Sequence, residues 1–311
     1  MELYATGFNA WEQLNVDTRQ VGEHRPADLY KFVKVFSDDR IVKVWASLSA
    51  TKDIDAVNSG SGVHTAGCVE DWQETFLGLR LFSPTVAMTG AGRLAIYNKT
   101  SESIILYEHP DHYRSGKPMW SIKGLGSIIQ IVGYETGFAA LSAGGVVWTW
   151  GDERFPACLG RNLREPHSSK VPGTVKDLIG LPTGKITKIA AGGYLLMALT
   201  EKNDLYAWGG HPGLPAMFDG LSRSPAPIEI GDNDVVDFGI GTSHSVILTK
   251  HGELWAVGEN TNGQLGLPEK KKKVDSWTRV PFPPMPGKSI SAVYCGPRST
   301  LVVVRHNTIP A

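Results

Sequence analysis

The chain has 311 residues, and its 31 lysines and arginines balance its 31 aspartates and glutamates, so the formal net charge is zero. A protein that holds nucleic acid mainly through phosphate contacts carries a basic excess. This chain has none, so we expect no direct binding of nucleic acid. The cysteines Cys68, Cys158 and Cys295 lie far apart and form no CxxC pair. This spacing excludes a zinc-finger pattern and argues against a disulfide framework, and we expect neither a metal nor a cofactor.

The first residues of the chain lack the basic and apolar regions of a signal peptide. No window of eighteen apolar residues occurs, so we expect no transmembrane helix and no membrane partner. We therefore predict an intracellular protein of the nucleus, the cytoplasm or both. With 35 glycines, 19 prolines and 9 tryptophans, the composition is typical of many short strands joined by tight turns.

The N-terminal part of the chain contains degenerate repeats. Pro26 to Phe36 alternates like a strand, and Thr85 to Tyr97 has the shape of a hairpin. Ser61 to Gly67 and Gly92 to Asn98 look like two copies of the second of the two strand-forming strings that make up each repeat, but the gap between their ends is too short for a full repeat. The region from 30 to 125 therefore leaves room for one blade more than the visible repeats show.

Clearer repeats follow from Gly133 to Glu153, from Gly192 to Gly210 and from Gly241 to Asn260. Each has an apolar run, a polar turn and a second string such as VWTWG, LYAWG or LWAVG, which predicts a β-hairpin. Neither face of these strings carries charge, so we expect each sheet to be packed on both faces. The tryptophans Trp148, Trp150, Trp208 and Trp255 recur in these strings, and we predict that they belong to the core.

The last half-repeat, Gly296 to Val304, is completed by Leu3 to Asn9 at the start of the chain. We therefore predict that the N-terminal strand joins the C-terminal sheet, which removes two exposed sheet edges. The predicted fold is all-β, a single closed β-propeller over residues 1–311, with six to seven four-stranded blades. We expect it to be monomeric when isolated.

Ser243 to Leu267 combines a His-Ser pair, an apolar strand, a Gly turn, an aromatic strand and the string GENTNGQLG. This segment resembles a near-complete repeat of the regulator-of-chromosome-condensation family, and Gly7 to Asn15 and Gly151 to Gly160 are looser matches. The resemblance implies a β-propeller that binds proteins. Ala292 to Val304 resembles the family's adaptor for a Jumonji-type oxygenase. The alternatives that the family implies are an adaptor in tRNA modification and diphthamide synthesis, and a guanine-nucleotide exchange factor for a Ran-like small GTPase.

No residue pattern demands catalysis. His244 has no carboxylate or nucleophile beside it in sequence, so we interpret it as a half-buried structural residue rather than a general base. His109, Asp111 and His112 have the residue types of a metal site, but Pro110 disfavours a regular helix there, and we interpret the segment as a solvated loop. We therefore expect a protein that is not an enzyme.

Two long loops are rich in proline, His211 to Ser224 and Pro268 to Lys288. We expect both to lie on a rim, where partners of propellers dock. The run of four lysines in the second loop is either a solvated surface or a contact for an acidic partner or import factor. The candidate partner-binding residues are Lys270, Lys271, Lys272, Lys273, His211 and Phe218.

Overall fold

The computed structural model describes residues 1–10, 14, 27–46, 54–59, 61–67, 83–163, 169–231 and 233–307. These residues form 23 strands. The strands pair in antiparallel fashion into six sheets, five with four strands and one with three. The all-β prediction is confirmed. The described part of the chain contains six sheets, which is the lower number in the predicted range of six to seven blades. Within it, no helix is long and apolar enough to cross a membrane.

The chain divides into two compact units, of which one is Glu70–Asp232. This unit contains three four-stranded sheets, numbered here in chain order. Sheet 2 consists of β6 (Val86–Met88), β7 (Leu94–Asn98), β8 (Ser103–Tyr107) and β9 (Trp120–Lys123). Sheet 3 consists of β10 (Ile128–Tyr134), β11 (Gly137–Ser142), β12 (Val147–Gly151) and β13 (Gly173–Thr174). Sheet 4 consists of β14 (Ile186–Gly192), β15 (Leu195–Thr200), β16 (Leu205–Gly209) and β17 (Ala226–Ile228).

The other unit joins the two ends of the chain, Met1–Val69 and Asn233–Ala311. Sheet 5 consists of β18 (Val235–Ile240), β19 (His244–Thr249), β20 (Leu254–Glu259) and β21 (Lys273–Val280). Sheet 6 consists of β22 (Lys288–Cys295), β23 (Ser299–His306), β1 (Glu2–Gly7) and β2 (Leu29–Ser37). Sheet 1 consists of β3 (Ile41–Ala46), β4 (Ile54–Ser59) and β5 (Gly62–Gly67). That both units belong to a single domain over residues 1–311 stays a prediction.

The N-terminal strand completes the C-terminal sheet, as predicted. β1 lies between β23 and β2, and its register with β23 runs from Glu2 opposite Val304 to Gly7 opposite Ser299. Because a side chain at the φ of Gly7, +119°, would meet the carbonyl oxygen of Arg298, this position requires glycine. The strand predicted at Pro26 to Phe36 is β2.

The hydrophobic core lies between neighbouring sheets of each unit. In one unit, apolar side chains of sheets 2 and 3 form one cluster, and those of sheets 3 and 4 form another. In the other unit, sheets 5 and 6 enclose a third cluster, and sheets 6 and 1 enclose a fourth. A sheet packed on both faces needs apolar residues on both faces of its strands, which explains strings such as LYAWG.

Two sequence interpretations need correction. The sequence predicts that Gly92 to Asn98 is the second string of a repeat, which corresponds to the third strand of a sheet. It forms β7, the second strand of its sheet, and the third strand is β8. This explains why the spacing from Gly67 was too short. The segment after His109 is also not a loop, because Pro110–Arg114 forms a one-turn helix, α1. Proline is favoured at the first helical position, where its missing N–H has no partner to lose.

A second short helix, α2 (Pro156–Leu159), follows β12 and also begins at a proline. Gly160 ends it with φ of +59°. The indole of Trp208 covers this end, and its Nε1 donates to the Cys158 carbonyl at 3.2 Å. The segment that follows β12 thus packs sheet 3 against β16, the aromatic strand of sheet 4.

Candidate protein-binding site

The segment between β20 and β21 carries Lys270 to Lys272 and leads into Lys273, and it is called the lysine loop below. One buried side chain, that of Asn260, holds its conformation. Its Nδ2 donates to the carbonyl oxygens of Leu267 at 3.1 Å and Lys271 at 2.8 Å. Its Oδ1 accepts from the amide of Leu265 at 3.0 Å. Asn9 repeats part of this arrangement in sheet 6, because its Oδ1 accepts from the amide of Leu14 at 3.0 Å. The asparagine of the repeat therefore holds the turn that follows the third strand.

All four lysines of the run lie at the surface, but the predicted long loop from Pro268 to Lys288 is wrong, because Lys273 begins the strand β21 within it. Lys272 pairs with Glu269 at 3.7 Å, and Lys273 pairs with Asp275 at 2.6 Å. Lys272 also lies 5.5 Å from the ring centroid of Tyr30. Exposed ion pairs of this kind contribute little to stability. A partner could therefore displace Glu269 or Asp275 from these lysines without unfolding the protein.

The other two predicted contact residues, His211 and Phe218, lie in the Glu70–Asp232 unit. The His211 ring packs against Tyr194, with centroids 4.7 Å apart, and against Phe155 at 5.3 Å. Phe218 is buried, with only 6% of its surface exposed. Its selection as a docking residue is therefore a correction: an aromatic residue in a proline-rich loop turned inward, because burial of its ring is favourable.

A groove that sequence reasoning missed lies between sheets 2 and 3. It has a volume of about 480 Å³. One wall is formed at the ends of β8 and β9 by Tyr107, Met119 and Trp120, and the other wall by Phe138 and Trp150 of β11 and β12. Its size is in the range of pockets that bind ligands.

The floor of this groove is glycine. Gly137 and Gly151 lie opposite each other in the β11–β12 ladder and line the groove. A Cβ at Gly137 would meet the carbonyl oxygen of Trp150 and the hydroxyl of Tyr134, so the pairing of β11 with β12 leaves no room for a larger residue there.

The walls expose apolar surface. Trp120 is 44% exposed and Met119 is 39% exposed. Trp150 is 2% exposed and stacks on Phe138 with centroids 5.5 Å apart. Its Nε1 is buried, and in the part of the chain that the structure describes it has no hydrogen-bond partner.

The charges at the rim of the groove neutralise one another. Arg93 pairs with Glu108 at 3.3 Å, and Arg154 pairs with Asp152 at 2.7 Å. The Arg154 guanidinium lowers the pKa of the Asp152 carboxyl, chiefly by hydrogen bonding. The rim therefore selects neither a strongly acidic nor a strongly basic partner.

The predicted core tryptophans follow the pattern of the strings. Trp150 and Trp208 are buried, whereas Trp148 and Trp255 are half-buried. Trp120, which belongs to none of the strings, is the exposed one of these five. Its position outside the repeat pattern was the signal that could have identified it.

His244 is a structural residue, as interpreted, although it is fully buried rather than half-buried. Its Nε2 lies 3.0 Å from the Thr300 hydroxyl, which itself donates to the Gln264 carbonyl. Thr300 must therefore accept from Nε2–H. Burial lowers the pKa of His244 to about 4, so the imidazole is neutral near pH 7.

The other groups with reactive side chains have structural contacts. His109 caps α1, where its Nδ1 accepts from the Asp111 amide at 3.3 Å. Burial raises the pKa of the Cys158 thiol to about 12, which makes it a poor nucleophile, while Cys68 lies outside the described residues. Within the described ranges, no three His, Cys, Asp or Glu side chains cluster to hold a metal ion.

A serine and a histidine meet near sheet 1, where the Ser61 hydroxyl lies 2.9 Å from His64 Nε2. A catalytic triad would need a carboxylate that orients the imidazole. The Asp38 carboxylate instead accepts from the Ser61 hydroxyl itself, from the hydroxyl of Ser59 at 3.0 Å and from the amide of Ser61 at 3.2 Å. These hydrogen bonds lower the pKa of Asp38 and fix the turn before β5.

Family models for the regulator of chromosome condensation (RCC1) repeat match residues 235–264 and 251–303, which lie in sheets 5 and 6. Human WBSCR16 aligns with 98% of this chain and 100% of its own, at a TM-score of 0.63 and 15% identity. Yeast RCC1 aligns with 97% of this chain and 88% of its own, at a TM-score of 0.56 and 13% identity. Residues 235–303 therefore match RCC1 repeats, and the fold is an RCC1-like β-propeller fold. The predicted fold is therefore confirmed.

Curated relatives of this RCC1-repeat chain have varied names. The mitochondrial RCC1 domain-containing protein RUG3 of Arabidopsis thaliana is 35% identical over 133 residues, which cover 42% of this chain and 28% of RUG3. The human E3 ubiquitin-protein ligase HERC2 is 26% identical over 333 residues, 96% of this chain and 6% of HERC2. Human regulator of chromosome condensation is 32% identical over 136 residues, 42% of this chain and 30% of that protein. The chain spans less than a third of the length of each of these relatives.

Proposed function

We propose that this RCC1-repeat chain is a protein-interaction adaptor and not an enzyme. The observation that carries this proposal is the groove between sheets 2 and 3, which exposes Trp120 and Met119 between paired charges. Exposed aromatic residues surrounded by a polar rim are typical of protein interfaces. The described titratable groups that are most buried, His244 and Cys158, are neutral core groups, which fits a protein whose partner performs the chemistry.

Affinity purification of the tagged chain from its own cells, followed by quantitative mass spectrometry, tests the adaptor proposal. We expect at least one protein to be retained in near-equal molar amount. A Jumonji-type oxygenase would identify the partner that the C-terminal resemblance implies, and a factor of tRNA modification or diphthamide synthesis would support the alternative adaptor role. Recovery of the chain alone, at several salt concentrations and after chemical crosslinking in cells, would overturn the proposal.

Nucleotide exchange is the second candidate function. The likeness to yeast RCC1 favours it, since that protein was also characterised for its binding to Gsp1p and histones. Exchange requires protein contacts that disturb the nucleotide site of a GTPase, so it needs no catalytic residues in this chain. The test is release of labelled GDP from a Ran-like GTPase with and without the purified chain, with RCC1 as the positive control. We expect no acceleration, and a tenfold acceleration would make exchange the leading function.

We further propose that the chain works in the nucleus, the cytoplasm or both. The family resemblance supports this proposal, whereas the name of RUG3 shows that one relative carries a mitochondrial designation. Imaging of the chain tagged at its C-terminus, with nuclear and mitochondrial markers, tests it. Exclusive overlap with the mitochondrial marker would contradict it.

A further inference from the structure

The groove between sheets 2 and 3 has features of a binding site. Its apolar walls expose Trp120 and Met119 to water, and burial of this apolar surface by a partner would be favourable. Gly137 and Gly151 of its floor line it with backbone atoms alone. These observations indicate that an apolar side chain fits there.

Polar groups in the same place call for a hydrogen-bond acceptor. Trp150 Nε1 and Thr136 Oγ1 are both buried, and neither has a hydrogen-bond partner among the described residues. Both residues line the groove. A buried donor without an acceptor destabilises the protein. The indole N–H can only donate, so a carbonyl oxygen is the matching group once the ring turns far enough to present Nε1 to the groove.

A free sheet edge lies beside the groove. β9 begins at Trp120, and within the described residues it pairs only with β8. An unpaired edge offers backbone N–H and C=O groups to an extended chain, but offers little to a small organic molecule. The occupant that meets all three requirements is therefore a peptide in extended conformation.

We propose that this groove binds an extended peptide segment of a partner protein through one aromatic or long aliphatic side chain, with a backbone carbonyl accepting from Trp150. This inference rests on the proposed adaptor function and names its contact site. Because the rim arginines are paired with Glu108 and Asp152, binding depends on apolar burial and shows little dependence on salt.

The probe is a phage-displayed library of random twelve-residue peptides, selected on the full chain. We expect the enriched peptides to share an aromatic or long aliphatic residue. For the best peptide, synthesised with a fluorophore, Trp120→Ala is expected to weaken binding at least tenfold, about 1.4 kcal/mol. Trp120→Phe is expected to retain affinity within threefold, since it keeps an aromatic wall.

Two controls separate this result from loss of the fold. Ile179 is 56% exposed and lies outside the groove lining, so Ile179→Ala should bind the peptide like the unchanged protein. Raising the salt concentration from about 50 to about 500 mM should change the dissociation constant less than threefold, because charge screening has little to act on.

The indole N–H signals in a two-dimensional NMR spectrum give a direct readout. Trp208 Nε1 already donates to Cys158, so its signal should stay in place when the peptide is added. The signal of Trp150 should move, because its N–H gains an acceptor.

Enriched peptides without an apolar anchor, an unchanged affinity of Trp120→Ala, or a tenfold loss of affinity at high salt would each overturn the groove as the site. The failure of the adaptor proposal looks different. If cellular partners are recovered equally well by Trp120→Ala, the adaptor function stands and only the groove is overturned, whereas recovery of no partner overturns both.

Discussion

At the scale of single residues, the repeat pattern is explained by buried polar side chains that hold turns. Asn260 bonds three backbone groups of the loop that follows β20, and Asn9 makes a similar contact after β1. His244 and Thr300 join sheets 5 and 6, and the Thr300 hydroxyl continues to the Gln264 carbonyl. Such networks are costly when incomplete, so these residue types recur where the backbone turns.

Asn260→Ala should lower the free energy of unfolding by about 3 kcal/mol, because it removes three hydrogen bonds of about 1 kcal/mol each from buried backbone groups. Urea unfolding followed by circular dichroism measures this change. Asn98→Ala is the matched control, since Asn98 is exposed and accepts from the amides of Thr100 and Ser101. A loss at Asn260 no larger than at Asn98 would contradict the role given to Asn260.

His244 should make stability depend on pH. Its pKa is about 4 in the folded protein and 6.5 in the reference state, so the unfolded chain binds the extra proton between these values. The contribution is fully present above about pH 6.5 and is lost as the pH falls towards 4, by about 3 kcal/mol in total. Urea midpoints of the unchanged protein and of His244→Gln across this range test it. The two curves should converge at low pH, and parallel curves would show that His244 does not titrate as stated.

At the scale of elements, the first strands of successive sheets are linked by one repeated device. The Oε1 atom of Gln130 in β10 accepts from the amide of Ile189 at 3.0 Å, and its Nε2 donates to the carbonyl of Ile189 at 2.7 Å. Asp237 of β18 accepts from the amide of Val293 at 2.8 Å. In both strands the residue follows a register shift. The bulge turns this side chain towards the next sheet, where it satisfies backbone groups that the sheet itself leaves open.

The pairing of β1 with β23 predicts that the chain can be permuted. A variant that begins at Arg40, ends at Asp39 and joins the old termini through a short Gly/Ser linker should keep sheet 6, because β1 and β2 then follow β23 directly. We expect a single cooperative thermal transition within about 5 °C of the unchanged protein. Deletion of residues 1–7 is the comparison, and it should abolish the cooperative transition, since it removes the strand between β23 and β2. If the deletion variant showed the same cooperative thermal transition as the permuted variant, β1 would be dispensable.

At the scale of the whole molecule, the two compact units carry chemically different surfaces. The lysine loop, with Lys270 to Lys273, lies in the unit that joins the chain ends, and the aromatic groove lies in the Glu70–Asp232 unit. A basic loop attracts acidic partners over a distance that salt shortens, whereas an apolar groove acts on contact. The net charge of zero means that neither surface is dominated by a long-range field.

Replacement of Lys270 to Lys273 by glutamine should leave the melting temperature within about 2 °C, since these side chains are exposed and Asn260 holds the loop through backbone atoms. Differential scanning calorimetry checks this. If the loop also contacts a partner recovered from cells, the same variant should slow association and flatten its salt dependence, as surface plasmon resonance would show. A large drop in melting temperature would mean that the lysines themselves support the fold.

The sequence alone determined the repeat architecture. Strings such as LYAWG alternate with a period of two and are apolar on both faces, which dictates sheets packed on both sides, and the split repeat at the chain ends dictates the pairing of β1 with β23. These patterns depend on local chemistry repeated along the chain, so they can be read without coordinates. Only the tertiary structure showed that Phe218 turns inward, that Gly92 to Asn98 is a second rather than a third strand, and that Trp120, Phe138 and Trp150 meet across a glycine floor. A groove forms from residues far apart in sequence, and neither its depth nor the exposure of its walls is encoded in the period of any one strand.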